Sequence, residues 1–314
     1  FVPDVMVDGQ VYQVPFVTEE PSVVAAASFA AKMIKRSGGF KTTIHNRQMI
    51  GQVALYHVPD IKNAINYIQE KKQKLLELAN QAHPSIVKRG GGARHLHVEY
   101  LNGEAEFLIV YLTVDTQEAM GANILNTMLE ALKSPLEELS GGKSLMAILS
   151  NYATEALVTA TCEIDIRFLS RNKSEAFGIA KKIVLASQFA KQDPYRASTH
   201  NKGIFNGIDA VVLATGNDWR AIEAGGHTYA SRSGQALGLS NWMDHPEQQV
   251  LEGQLTLPMP IATKGGSIGL NPSVQVAHDL LGNPDAQTLA RIIVSVGLAQ
   301  NFAALKALVS TGIQ

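Results

Sequence analysis

The apolar and polar positions of this chain change period several times along its length. Up to Val17, short apolar alternation broken by turn residues predicts strand. After Glu20, Pro21 suits a first helical position, and an Ala-rich run predicts a helix ending at Ser37-Gly38-Gly39. The run 50–56 reads as strand. A second helix opens near Asp60, with Ile61, Ala64, Ile65 and Ile68 on one stripe, continued by Leu75, Leu76 and Leu78. Pro84 and the triplet Gly90-Gly91-Gly92 interrupt it. Two strands, 95–101 and 106–114, flank the hairpin signal Asn102-Gly103. Asp115 or Thr116 is a candidate cap for a helix through Ala119-Met120-Gly121-Ala122-Asn123 toward Leu132, and 144–149 reads as a further strand.

Strand, helix, strand, strand, helix, strand over residues 47–151 is the order of a ferredoxin-like split βαβ unit. Residues 1–46 and 152–314 then form a larger mixed α/β domain into which that block is inserted. The expected fold class is α+β with two domains, since 314 residues exceed one comfortable core. No internal repeat or low-complexity tract is visible.

Composition narrows the partners. The formal net charge is −1, and no basic stretch alternates with aromatics, so nucleic acid is not an expected partner. The charged run Glu70-Lys71-Lys72-Gln73-Lys74 reads as a solvated helix face. A lone cysteine, Cys162, excludes an intrachain disulfide framework and points to a reducing, cytoplasmic setting. Val158, Ala160, Cys162, Ile164, Ile166 and Phe168 alternate with Thr159, Thr161, Glu163, Asp165 and Arg167, which makes Cys162 an inward-facing strand residue rather than a nucleophile. No apolar run is expected to approach the roughly 18 residues of a membrane span. No signal peptide is visible, although the chain opens at Phe1 rather than at a methionine.

Candidate chemistry concentrates in HNKGIFNGIDAVVLATGNDWRA, residues 200–221. One reading is structural: a helix ending at Gly216, a second capped by Asp218, and Lys202 as an exposed charge. The functional reading brings Lys202 and Asp218 together. They stand 16 positions apart, about 24 Å along a straight helix, so convergence needs a turn in the chain or a second subunit. In TEEPSVVAAAS, residues 18–28, two carboxylates precede a helix start, where the dipole favours the anion. A carboxyl that must donate a proton needs burial or a second carboxylate nearby. Lys88, Arg89 and Arg94 beside the glycine triplet suit a phosphate, but GGG is not the GxGxxG fingerprint, and a plain loop is an equal reading. His95 and His97 share a strand face without a Cys or HExxH companion, so no metal is expected.

Taken together, TEEPSVVAAAS, QEAMGAN (117–123), DPYRASTHNKG (193–203), NGIDAVVLATGNDWRAIEAGGHTYA (206–230) and VGLAQNFAALKALVSTGIQ (296–314) resemble class II HMG-CoA reductases over essentially the whole chain. The resemblance implies a large domain that binds HMG-CoA, an inserted ferredoxin-like domain that binds NADPH or NADH, and homodimers with active sites at the subunit interface. By motif, Glu20, Lys202 and Asp218 correspond to the catalytic groups. Ser22, Arg196, Asn206, Gln300 and Asn301 correspond to HMG-CoA contacts, and Met120, Gly121, Ala122, Asn123 and Asn151 to the cofactor site. NAD-preferring members carry an acid shortly before the triplet; 82–89 has none, so Lys88 and Arg89 are candidates for an NADPH phosphate.

Two departures stand out. Glu118 replaces the family's usual Asp before AMGAN. The family's GHM histidine, in a C-terminal flap after GIQ, and its N-terminal ENxxG-type segment lie outside these 314 residues. The implied reaction is two hydride transfers: thioester to hemithioacetal, loss of CoA to mevaldehyde, then reduction to mevalonate. A CoA-binding protein without redox activity is disfavoured by the intact Glu20, Lys202 and Asp218. A thiolase-like acyltransferase is disfavoured by the placement of Cys162.

Overall fold

The computed structural model describes residues 1–312; Ile313 and Gln314, at the expected flap junction, lie outside the described residues. The chain opens with β1 (Val2–Val7), β2 (Gln10–Val14), α1 (Pro21–Arg36) and β3 (Phe40–Ile44). Next come β4 (Met49–Tyr56), α2 (Ile61–Glu70), α3 (Lys72–Ala82), α4 (Pro84–Lys88), β5 (Gly92–Asn102), β6 (Glu106–Asp115), α5 (Ala122–Ser140) and β7 (Lys143–Ser150). The last third holds β8 (Leu157–Asp165), α6 (Lys173–Ala190), α7 (Pro194–Ala214), α8 (Trp219–Ala230), β9 (Ser240–His245), β10 (Val250–Pro258), α9 (Pro272–Leu280) and α10 (Ala286–Val309).

Two compact units result: Phe1–His45 with the chain from Leu157 onward, and Asn46–Ala156. The inserted unit ends at Ala156 rather than at 151. Ala153 and Ala156, in a turn-rich segment, are buried in its core and so belong to it.

In the inserted unit the strand order is β5-β6-β4-β7 with every neighbouring pair antiparallel. That is the order of a split βαβ sandwich. Strand β4 shows why one face is covered: Met49, Gly51, Val53 and Leu55 point inward in strict alternation. The helix expected from Asp60 onward is two helices. Lys71 returns its N–H to Tyr67 and closes α2 before α3 resumes. The polar run across the break supplies no apolar anchor to hold it straight.

The larger unit carries a six-stranded sheet ordered β2-β1-β3-β8-β10-β9, in which only β1 and β3 are parallel. Helix α10 packs against β1, β3, β8 and β10 of this sheet and against α1, α6 and α7. Sixteen of its 24 residues are buried, as a helix apolar on every side requires. By length and composition it is apolar enough to cross a membrane, which corrects the expectation that no such run exists; 72% of its most apolar window is buried inside the unit.

Polar groups in this core are tied down. Ser240 Oγ and Trp242 Nε1 both donate to Asn301 Oδ1, each at 2.8 Å, and His200 Nε2 lies 2.7 Å from Ser240 Oγ. Burial, reinforced by Arg196 and Lys191, pushes the His200 imidazolium down to about 4, so this ring is neutral at physiological pH. Cys162 is buried in β8 and its thiol is pushed up by desolvation, which leaves it inert.

Between α7 and α8 the opposite shift occurs. Asp209 hydrogen-bonds Glu223, and its Oδ1 is buried without a partner. Burial first, then the neighbouring carboxyl, raises Asp209 from 3.8 to about 8. The folded protein thus holds a proton that the unfolded chain has released. Its stabilising effect is complete below the ordinary carboxyl range and is lost as pH rises through about 8. Thermal melts between about pH 6 and about pH 9 should show Tm falling in the wild type. Asp209→Asn, which keeps a donor for Glu223, should flatten that fall; an unchanged slope would count against the shared proton.

Candidate functional site

Three charged side chains of the larger unit sit where secondary structure dictates. Glu20 is the N-cap of α1, in extended backbone, and accepts from the Ser22 amide at 3.1 Å. Pro21 has no N–H to offer, so the next free amide is that of Ser22. Lys202 lies in α7, exposed, with its ammonium close enough to stabilise the Glu20 anion. The Ser22 amide first, then the Ser22 hydroxyl, then Lys202 hold Glu20 below its usual value. Within the chain Glu20 is therefore an anion, and the burial or second carboxylate that a proton donor needs is not supplied.

Asp218 is elsewhere. It caps α8, with Oδ1 accepting from the Arg220 and Ala221 amides at 3.1 Å each and Arg220 Nε 3.5 Å away. From Lys202 the α7 axis runs on to Ala214, about 18 Å at about 1.5 Å per residue, before the chain turns. Lys202 thus lies within electrostatic reach of Glu20, while Asp218 stands past the far end of α7, at the start of α8.

The residues expected to contact substrate divide in the same way. Ser22 is exposed beside Glu20. Asn206 follows Lys202 by four positions and shares its helix face. Arg196 stands in the first turn of α7, part-buried, with desolvation lowering its guanidinium. Gln300 is buried; its Nε2 donates to Val23 O at 3.2 Å, and its Oε1 has no partner. Asn301 departs from the expectation. At 1% exposure, with its oxygen already taking two donors, it secures the core and is not available to a ligand.

In the inserted unit, four of the expected cofactor residues, Met120, Gly121, Ala122 and Asn123, form the start of α5. The cap is neither Asp115 nor Thr116 but Gly121, at φ 92°, which contributes no side-chain cap. A Cβ there would lie 2.2 Å from Thr116 Cγ2. The first amides of α5, at Ala122 and Asn123, therefore receive no side-chain cap. Asp115 and Thr116 instead shape the preceding loop. Thr116 Oγ1 donates to Ala119 O at 2.7 Å, and Asp115 accepts from the Gln117 amide at 2.9 Å. Asn151 is exposed just beyond β7, whose Leu149 amide is bound by Asn126 of α5 at 2.9 Å.

The glycine triplet has a structural role. Gly90 and Gly91 return their amides to Val87 and Ile86 and so end α4, and a Cβ on Gly91 would lie 2.5 Å from Asp115 O. These amides are committed and cannot cradle phosphate. Lys88 and Arg89 occupy the exposed end of α4, Arg89 Nε donating to Ser85 O at 3.2 Å, while Arg94 is held by Gly90 O and Asp115. His95 and His97 stack on one another, and His97 stacks on Tyr111. Sequence reasoning missed Arg47, which braces the loop before α5 through Gln117 O (2.9 Å) and Ala119 O (3.3 Å). No local pattern marks it; only its position at the start of the insertion offered a hint.

Known proteins share this fold. The profile for hydroxymethylglutaryl-coenzyme A reductase matches residues 1–314. A 3-hydroxy-3-methylglutaryl-coenzyme A reductase from Archaeoglobus fulgidus is 40% identical over 98% of this chain and 70% of its own length. A Streptococcus pneumoniae enzyme of that name superimposes with a TM-score of 0.98 at 71% identity, covering all of this chain and 74% of that one. A class II reductase structure from the same organism, bound to NADPH in open conformations, gives 0.98 at 70% identity over 98% and 84%. With the family profile spanning its whole length, this chain belongs to the hydroxymethylglutaryl-coenzyme A reductases and is an oxidoreductase of that family.

Proposed function

We propose that the protein reduces HMG-CoA to mevalonate and CoA with NADPH, in active sites built from two copies of the chain. The observation that carries this reading is Lys202 within electrostatic reach of Glu20, with Asp218 a helix length away. When bound, the nicotinamide supplies the hydride. Lys202 offers a cation to the carbonyl oxygen as it gains charge in each reduction. Ser22, Arg196 and Asn206 orient the acyl end. Asp218 of the partner subunit, brought beside Glu20, would raise the pKa that the Ser22 amide lowers and so convert Glu20 into a proton donor.

A second copy is supported by the surface around the α7–α8 turn. Leu270 (83%), Val276 (66%), Leu213 (46%) and Trp219 (40%) are exposed there. The turn is fixed from inside by Val274 and Ile268 against Gly216 and by His278 Nε2 donating to Thr215 O at 3.1 Å. Apolar exposure of this kind next to a catalytic candidate is characteristic of an interface. NADPH rather than NADH is supported by the acid-free stretch 82–89, by exposed Lys88 and Arg89, and by the NADPH-bound relative. A cytoplasmic location fits the reduced, buried Cys162.

Four measurements on the whole protein test this reading. Lys202→Ala should lower kcat by about 10²–10³ with little change in KM. Refolded mixtures of Lys202→Ala and Asp218→Ala chains, each inactive alone, should regain about a quarter of wild-type activity, because each mixed dimer then holds one site with both groups intact. No recovery would mean that the two act within one chain. Sedimentation should give a dimer, and an active monomer would refute the shared site. Finally, kcat/KM should favour NADPH, and removing the charge of Lys88 or Arg89 should narrow the advantage; equal values for NADH would overturn the preference.

A further inference from the structure

The larger unit has a concave site lined by none of the residues assigned above to catalysis, substrate or cofactor. It is a groove of about 700 Å³ on the polar face of the sheet, within the usual size range for small-molecule sites. Its floor is Thr159, Thr256, Asn241 and Gln254, neighbours across β8, β10 and β9. Thr159 Oγ1 lies 2.7 Å from His45 Nε2 and 2.6 Å from Thr256 Oγ1, so hydroxyls and an imidazole form one chain of exchangeable donors.

Two fixed cations stand over this floor. Lys191, just past α6, is half-buried with Nζ 2.5 Å from Asn241 Oδ1, and burial lowers its ammonium. Arg232, beyond α8, is exposed, stacks at 3.9 Å over the Tyr229 ring and donates to Tyr229 O at 2.6 Å. No Asp or Glu lines the groove among the described residues, so neither cation has a lining carboxylate to neutralise it. Leu157, Leu237 and Leu239 complete the wall. A partly desolvated cation without a counter-ion is costly, and an anion that reaches both Lys191 and Arg232 removes that cost.

We propose that this groove binds a phosphate monoester with a short apolar body, separate from the HMG-CoA and NADPH sites. The phosphate sits between Lys191 and Arg232 and takes hydrogen bonds from the threonine hydroxyls. The body lies on Leu237 and Leu239. The reading is independent of the reductase assignment, because binding is measured without turnover.

Hexyl phosphate is the probe, titrated calorimetrically into the whole protein at low salt. It should bind saturably and more tightly than inorganic phosphate. Arg232→Ala and Lys191→Gln, the latter retaining a donor for Asn241, should each weaken it about tenfold or more, the effect of one charge-assisted contact. Both variants should keep the wild-type Tm and kcat/KM, and saturating CoA or NADPH should not displace the probe. Four results would overturn the proposal: absence of saturable binding, equal affinity for inorganic phosphate, affinity unchanged in both variants, or displacement by CoA or NADPH. Arg232 is exposed, so its variant remains informative even if Lys191→Gln folds poorly.

Discussion

The burial of α10 is the constraint on which the larger unit depends. A helix apolar on all sides has to be walled in, and α1, α6, α7 and the sheet are the walls. Each large aliphatic side chain removed from water contributes about 1.5–3 kcal/mol, so the walls are held by the helix they enclose. Two amides interrupt its apolar surface, and a buried amide without partners costs about 1–3 kcal/mol. Asn301 resolves this inside the core. Gln300 resolves half of it by reaching Val23 at the first turn of α1, which fixes the helix start that Glu20 caps. The positions of Glu20 on α1 and of Lys202 on α7 are therefore both referred to α10.

Local electrostatics sort the carboxylates on these walls. Glu20 and Asp209 are both near α7, yet one is drawn down and the other pushed up. Amide contact and a nearby ammonium favour the anion; burial beside a second carboxyl disfavours it. A carboxyl group is thus held as an exposed anion in one place and as a proton store within a helix pair in the other. The distinction lies in surroundings that are set by packing, not by the motif in which each residue occurs.

Much of this was legible in the sequence. The α1 start was marked by Glu20-Pro21, the β5–β6 hairpin by Asn102-Gly103, and the inward row of β8 by strict alternation around Cys162. What was not legible depended on non-local contacts. Asp115 and Thr116 both have good capping chemistry, but Thr116 is turned toward Ala119 and leaves the cap to Gly121. The break at Lys71 falls in a polar run whose periodicity gives no warning. Asn301 is next to Gln300 in a family motif, and only the positions of Ser240 and Trp242 show that its amide is committed to the core. The apolarity of α10 is interrupted by a few polar residues that weigh little on its average.

The way the chain leaves and rejoins the larger unit has a thermodynamic consequence. His45 donates its amide to Leu157 O at 3.1 Å, and Gln48 donates to Glu155 O at 2.9 Å, so the two crossings run side by side. To the larger unit, the whole of Asn46–Ala156 is a loop whose ends already touch. The entropy of closing a loop grows only logarithmically with its length, by about 0.6 kcal/mol per doubling. A folded insert with adjoining ends does not even incur that, because its own sheet holds them together. Growth, shrinkage or exchange of the insert is then nearly neutral for the core built around α10. The fold separates the part that can vary from the part that cannot.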